Sequence, residues 1–195
     1  MKSKKLLLFA VAAAFAVATL PLAAQNPFQP WGTYAFTGSA SCLDSPSGFT
    51  GLDPVTAATT YTESWNAQGT FTFKADGTGT EEGGSIVLDY FPAPYVGASG
   101  VTDSAPFTYT VAKDGTLTLV FGTRTGTFVA GEFAGILTYA DTLNPNSTGR
   151  IALNGTVVLT STPPAVETIT FYYEGTEVGA VTRICTRTAV LVPLY

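Results

Sequence analysis

Short stretches of alternating large and small residues, each cut off by an Asx-Gly or Glu-Gly pair, recur along this chain and leave it few ways to fold. Gly69-Thr70-Phe71-Thr72-Phe73-Lys74-Ala75 stops at Asp76-Gly77, and Phe107-Thr108-Tyr109-Thr110-Val111 runs on to Asp114-Gly115. Arg150-Ile151-Ala152-Leu153 stops at Asn154-Gly155, and Thr168-Ile169-Thr170-Phe171-Tyr172-Tyr173 at Glu174-Gly175. A period of two places successive side chains on opposite faces of a strand, and these pairs tolerate the positive φ of a tight hairpin. Each unit therefore predicts two antiparallel strands. Tyr61 to Trp65, Thr78 to Glu82, Ile86 to Phe91 and Val178 to Val192 add further strands, with a bend expected at Gly83-Gly84. Leu43 to Ala58, rich in Asp, Ser, Pro and Gly, reads as a loop. The fold class is all-β: an antiparallel up-and-down meander of about eight strands, closed into a barrel because closure removes open edges. A β-sandwich is the alternative on the same composition.

The first residues stand apart. Lys2, Lys4 and Lys5 precede an apolar run from Leu6 to Leu20, followed by Pro21-Leu22-Ala23-Ala24. This pattern predicts a secretory signal peptide over 1–24, cleaved to leave one barrel domain over 25–195. The apolar run is short of a bilayer span, so no membrane span is expected in the mature chain. Without residues 1–24, six basic residues face fourteen acidic ones, a net charge of −8. Such a surface does not suit nucleic acid, which needs Lys and Arg patches. Localisation is read as periplasmic or extracellular. In those oxidising compartments the two cysteines, Cys42 and Cys185, are expected to pair and to tie the first strand to the last.

Gly32-Thr33-Tyr34-Ala35-Phe36, the run Gly69 to Gly79, and Phe107 to Val111 with Asp114-Gly115-Thr116-Leu117-Thr118 together resemble the exported bacterial lipocalin-like (calycin-like) β-barrel proteins. That group opens on a Gly-x-Tyr-x-Phe strand and repeats Asp-Gly hairpins, and most of its members have no assigned activity. The resemblance covers residues 31–121. Lipocalins proper pack a last-strand arginine over a first-strand ring, which here implies Arg183 or Arg187 over Tyr34.

Tyr34, Phe36, Phe71, Phe73, Phe107 and Tyr109 alternate with threonines and form the candidate inward face, one that would hold a small apolar ligand. Tyr90 and Tyr95, stiffened by Pro92 and Pro94, are a candidate lid over the barrel mouth. The chain has no histidine, which removes Ser-His-Asp and Cys-His catalysis and the commonest zinc ligand. An enzyme would have to work through carboxylates, tyrosine or arginine. Asp44, Asp53, Glu63 and Asp89 are the acids on or near loops, and the reading leans away from an enzyme. No cofactor motif and no metal site is expected, and Asp76 to Glu82 reads as a hairpin rather than a calcium loop. An outer-membrane barrel is a further alternative, suggested by the terminal Tyr195 and opposed by Pro193 and the threonine-rich faces.

Overall fold

A computed structural model describes residues 29–90, 96–142, 146–161 and 166–195. The expected signal peptide and the whole of 91–95, Tyr95 included, lie outside them. In chain order the strands are β1 (Gly32–Ser45), β2 (Phe49–Thr50), β3 (Asp53–Pro54), β4 (Tyr61–Phe73), β5 (Thr78–Tyr90), β6 (Val96–Val111), β7 (Thr116–Phe121), β8 (Thr123–Ala130), β9 (Leu137–Thr142), β10 (Asn146–Ile151), β11 (Val157–Ser161), β12 (Val166–Tyr173) and β13 (Thr176–Pro193). The one described helical element is a 3-10 turn at Ala57–Thr59, and no described helix is long and apolar enough to cross a membrane.

All strands except the small β2–β3 hairpin belong to one antiparallel ring. β1, β4, β5 and β6 follow one another as a meander. The far edge of β6 then carries two strands end to end: β7 lies beside residues 107–111 and β8 beside residues 100–104. β10 and β9 extend these two in the same way, followed by β11 and β12, and both halves meet the long β13. β13 returns to β1, so the ring has eight staves, three of them each made of two strands. The expected meander and its closure are therefore present. β5 runs through Gly83-Gly84 without a break, and neither flanking strand shifts register there. One detail differs from the sequence reading. β1 extends through Leu43, Asp44 and Ser45 into the expected loop, held by pairing with β4 and β13.

The hairpin signals work as their chemistry predicts. Gly77, Gly115 and Gly155 take φ of +83°, +80° and +82°. Asp76 accepts from the backbone N–H of Thr78 at 3.0 Å and from its hydroxyl at 2.7 Å, and Asp114 binds Thr116 in the same fashion. The turns are also stitched together: Tyr109 N–H donates to Gly77 O, and Ile151 N–H to Gly115 O. These three turns form one end of the barrel.

Behind that end the interior is filled. Tyr34, Phe36, Phe71, Phe73, Phe107 and Tyr109 pack with Leu117, Leu119, Val157 and Leu191 into one cluster. The rings meet mainly edge to face, for example Tyr34 on Phe73 at 5.2 Å and Phe73 on Tyr109 at 5.1 Å between centroids. A Cβ on Gly79 would lie 2.2 Å from the Phe107 ring, so the glycine is what lets that ring lie across β5. The Tyr109 hydroxyl donates to Lys74 O at 2.6 Å and accepts from Gln29, which seals the base.

The seam between first and last strands runs from Tyr34↔Pro193 to Ser45↔Thr182. Cys42 and Cys185 are direct partners in it and form the expected disulfide.

Candidate functional site

Past the aromatic half, the inward positions of each stave change chemistry. On β1 the inward sequence runs Tyr34, Phe36, then Ala40, Cys42, Asp44; on β13 it runs Leu191, then Arg187, Cys185, Arg183. On β4 Phe73 and Phe71 give way to Trp65, Glu63 and Tyr61. Strand parity makes this placement obligatory, since a residue two positions along must face the same way. The barrel thus has a packed half and a polar half.

Arg183 sits at the centre of the polar half and spends its guanidinium on three carboxylates. Its Nη1 donates to Glu63 at 2.9 Å, its Nη2 to Asp141 at 2.5 Å and its Nε to Glu167 at 3.3 Å. Arg187 binds Glu167 with both terminal nitrogens and lies over the Trp65 ring, 5.9 Å from its centroid. Arg124, from β8, donates to Glu81 at 2.6 Å, and the Tyr139 hydroxyl donates to Asp103 at 2.8 Å. Burial alone would lower both Arg183 and Arg124, but the surrounding carboxylates outweigh it and hold both firmly protonated.

Carboxylates outnumber these cations, and the surplus is visible in their acidities. Burial, then repulsion from Glu63, pushes Asp44 up to about 8 against the pull of Arg183; both of its oxygens are buried and have no hydrogen-bond partner among the described residues. Burial with Glu63 beside it raises Asp89 to about 6. Glu63 is raised as well, burial outweighing Arg183, whereas Glu167 is lowered because Arg187 and Arg183 more than offset its burial. Among the described residues no group of three or more His, Cys, Asp or Glu converges as metal ligands would.

Above this charged floor lies a cavity of about 760 Å³, open at the end opposite the Asx-Gly turns. Its walls include Val87, Val101, Phe128, Phe133, Ile169 and Phe171. Glu63, Glu81, Asp103, Arg124 and Arg183 also line it, with Asp89 toward the open end of β5 and Glu132 near the mouth. The volume is in the range of small-molecule sites, and apolar side chains share the wall with seven charged ones.

The structure separates the residues singled out from sequence. Tyr34, Phe73, Phe107 and Tyr109 lie in the packed half and line none of the described cavities, while Phe36 and Phe71 border only a cleft of about 60 Å³. Tyr90 is exposed at the end of β5, and Tyr95 lies outside the described residues. The arginine-on-ring contact falls on Trp65 through Arg187, whereas Tyr34 packs on Phe73 at the far end. Glu63 and Asp89 do reach the cavity. Sequence reasoning passed over Glu81, Asp103, Arg124, Asp141 and Glu167. Their signal was present: Arg124 in Thr-Arg-Thr and Glu167 in Val-Glu-Thr-Ile-Thr interrupt strands, and Glu167 shares the parity of the apolar Ile169 and Phe171.

No protein-family model and no curated protein sequence matches the chain. Among solved structures, the enduracididine biosynthesis enzyme MppR, complexed with a condensation product of pyruvate and imidazole 4-carboxaldehyde, aligns at 7% identity and a TM-score of 0.23, over 84% of this chain and 88% of that one. An acetoacetate decarboxylase-like enzyme from Sphingomonas wittichii RW1 aligns at 10% identity and a TM-score of 0.15, over 86% and 94%. Overlap at these scores is below what a common fold produces, and neither likeness bears on function.

Proposed function

We propose that this chain is an exported, non-enzymatic barrel of lipocalin-like type that holds one small, largely apolar molecule. The observation that carries the reading is the cavity of about 760 Å³ in the open half, walled by apolar side chains over a polar floor. The ligand site therefore moves from the aromatic half, where the rings fill the space, to the half formed by β8, β9 and β12 with the facing parts of β4, β5 and β6. Export is supported by the basic and apolar N-terminus and by the Cys42–Cys185 bond. The outward faces carry exposed Thr37, Thr62, Thr102, Thr108 and Thr125, which makes a lipid-facing band a poor fit.

Native mass spectrometry of the protein purified from its host tests the proposal. A bound mass of a few hundred daltons is expected. A bare mass, together with no thermal shift from any member of a panel of apolar small molecules, would refute it. One observation favours a second reading, an enzyme working through a carboxylate: Asp89 borders the cavity and is raised to about 6, where a general base operates best. Its signature would be a turnover whose pH profile breaks near that value and which disappears in Asp89→Asn.

A further inference from the structure

The cavity lining is anionic, and its cations are largely used. Five carboxylates (Glu63, Glu81, Asp89, Asp103 and Glu132) line it against two guanidiniums. Each nitrogen of Arg183 donates to a carboxylate, and Arg124 is bound to Glu81, while its Nε, 3.9 Å from Asp103, is buried without an acceptor among the described residues. An anionic ligand would have to break the Arg183 pairs or compete with Glu81 and Asp103 for Arg124. Two acids, by contrast, have capacity left. Glu63 is only 8% exposed, and its Oε1 takes Arg183 while its Oε2 accepts from no described residue. Asp89 accepts no hydrogen bond and makes no ion pair among the described residues.

Charge is also sorted along the barrel axis. Lys74, Lys113 and Arg150 sit at the sealed end, in or beside its turns. The open end carries Asp53, Glu132, Glu174 and Glu177, and no described Lys or Arg lies there apart from the buried arginines already paired. A field of one sign around a low-dielectric cleft draws in ligands of the opposite sign. Tyr61, Trp65, Phe128, Phe133 and Phe171 add aromatic faces within the same space, which also favour a cation.

Building on the carrier reading, we propose that the cavity takes an organic cation: an apolar body carrying a protonated amine, with the ammonium against Asp89 and the free oxygen of Glu63. The body lies against Val87, Val101 and Phe128 within the chamber. The ammonium offsets part of the unpaired negative charge of the lining, and its donors meet oxygens that have no other partner among the described residues.

Calorimetric titration of the full chain with decylamine, decanol and decanoate at pH 7.5, each kept below its micelle concentration, tests this. Decylamine is expected to bind at least roughly tenfold more tightly than decanol, the worth of one partly buried charge pair, with decanoate weakest. That preference shrinks as salt is added. Asp89→Asn lowers decylamine affinity roughly tenfold and leaves decanol binding in place, which also reports that the variant is folded. Equal or tighter binding of decanol or decanoate overturns the cationic specificity while the carrier reading stands. Binding of none of the three overturns both.

Discussion

Replacing both Cys42 and Cys185 by alanine tests how this barrel is closed. The bond joins residues 143 apart in sequence. In the chain-entropy picture a cross-link of that span restricts the unfolded chain enough to stabilise the fold by about 5 kcal/mol. A domain of this size has on the order of 5–15 kcal/mol of stability, so the loss is a large fraction of the total. The folded state has little to lose. The seam still pairs β1 with β13 from Tyr34↔Pro193 to Ser45↔Thr182, and alanine leaves only a small void beside Ala40 and Trp65. The variant should therefore show the same far-ultraviolet circular dichroism and a much lower urea midpoint. Its m value should also rise, because the uncrosslinked unfolded chain exposes more surface. The native protein unfolded with reductant present should match it. A loss under about 1 kcal/mol with an unchanged m value would refute the unfolded-state argument, and a variant without β structure in plain buffer would show that backbone pairing alone cannot hold the seam.

Asp44→Asn should make the protein more tolerant of alkali. Asp44, facing Glu63, Asp89, Glu167 and Arg183, titrates at about 8 in the fold against an ordinary 3.8. The fold therefore retains a proton that the unfolded chain gives up above pH 4, and stability is lost as pH rises toward 8. Asparagine cannot ionise, so its advantage should grow from pH 4 to 8 to a few kcal/mol and then level off; thermal midpoints in parallel at pH 5 and pH 9 will show this, and an equal offset at both would count against it. Gly79→Ala should cost about 1–3 kcal/mol or more, since its methyl meets the Phe107 ring wedged against Phe71 and Phe73; chemical denaturation will measure it, and a neutral result would mean that the ring has room to move.

Much of the architecture was legible in the residues because turns and alternation are local signals. Asp76-Gly77, Asp114-Gly115 and Asn154-Gly155 fix hairpins whatever surrounds them, and the alternation at Tyr34, Phe71 and Phe107 marks an apolar face on each strand, which the structure buries. Whether those rings line a space or fill it is not local. It depends on which rings meet across the ring of strands, and Phe73 against Phe107 comes from strands that are not even neighbours. The functional half was harder to see for a related reason. Glu63, Asp141, Glu167 and Arg183 come from four strands spread across the chain, and each alone looks like a solvated charge; only closure of the ring brings them together. Composition pointed toward carboxylates by removing histidine, but it could not say which ones share a cavity.

Five staves are single strands, β13, β1, β4, β5 and β6, whereas each of the other three is shared between two strands, one in the packed half and one in the open half. The paired strands divide the work: β7, β10 and β11 flank the aromatic cluster, while β8, β9 and β12 form a panel that walls the chamber. Substitutions at Phe128, Phe133 or Phe171 in that panel and its loop can reshape the chamber while the sealed end keeps the protein folded. A barrel built this way uncouples the part that must be stable from the part that must fit its cargo.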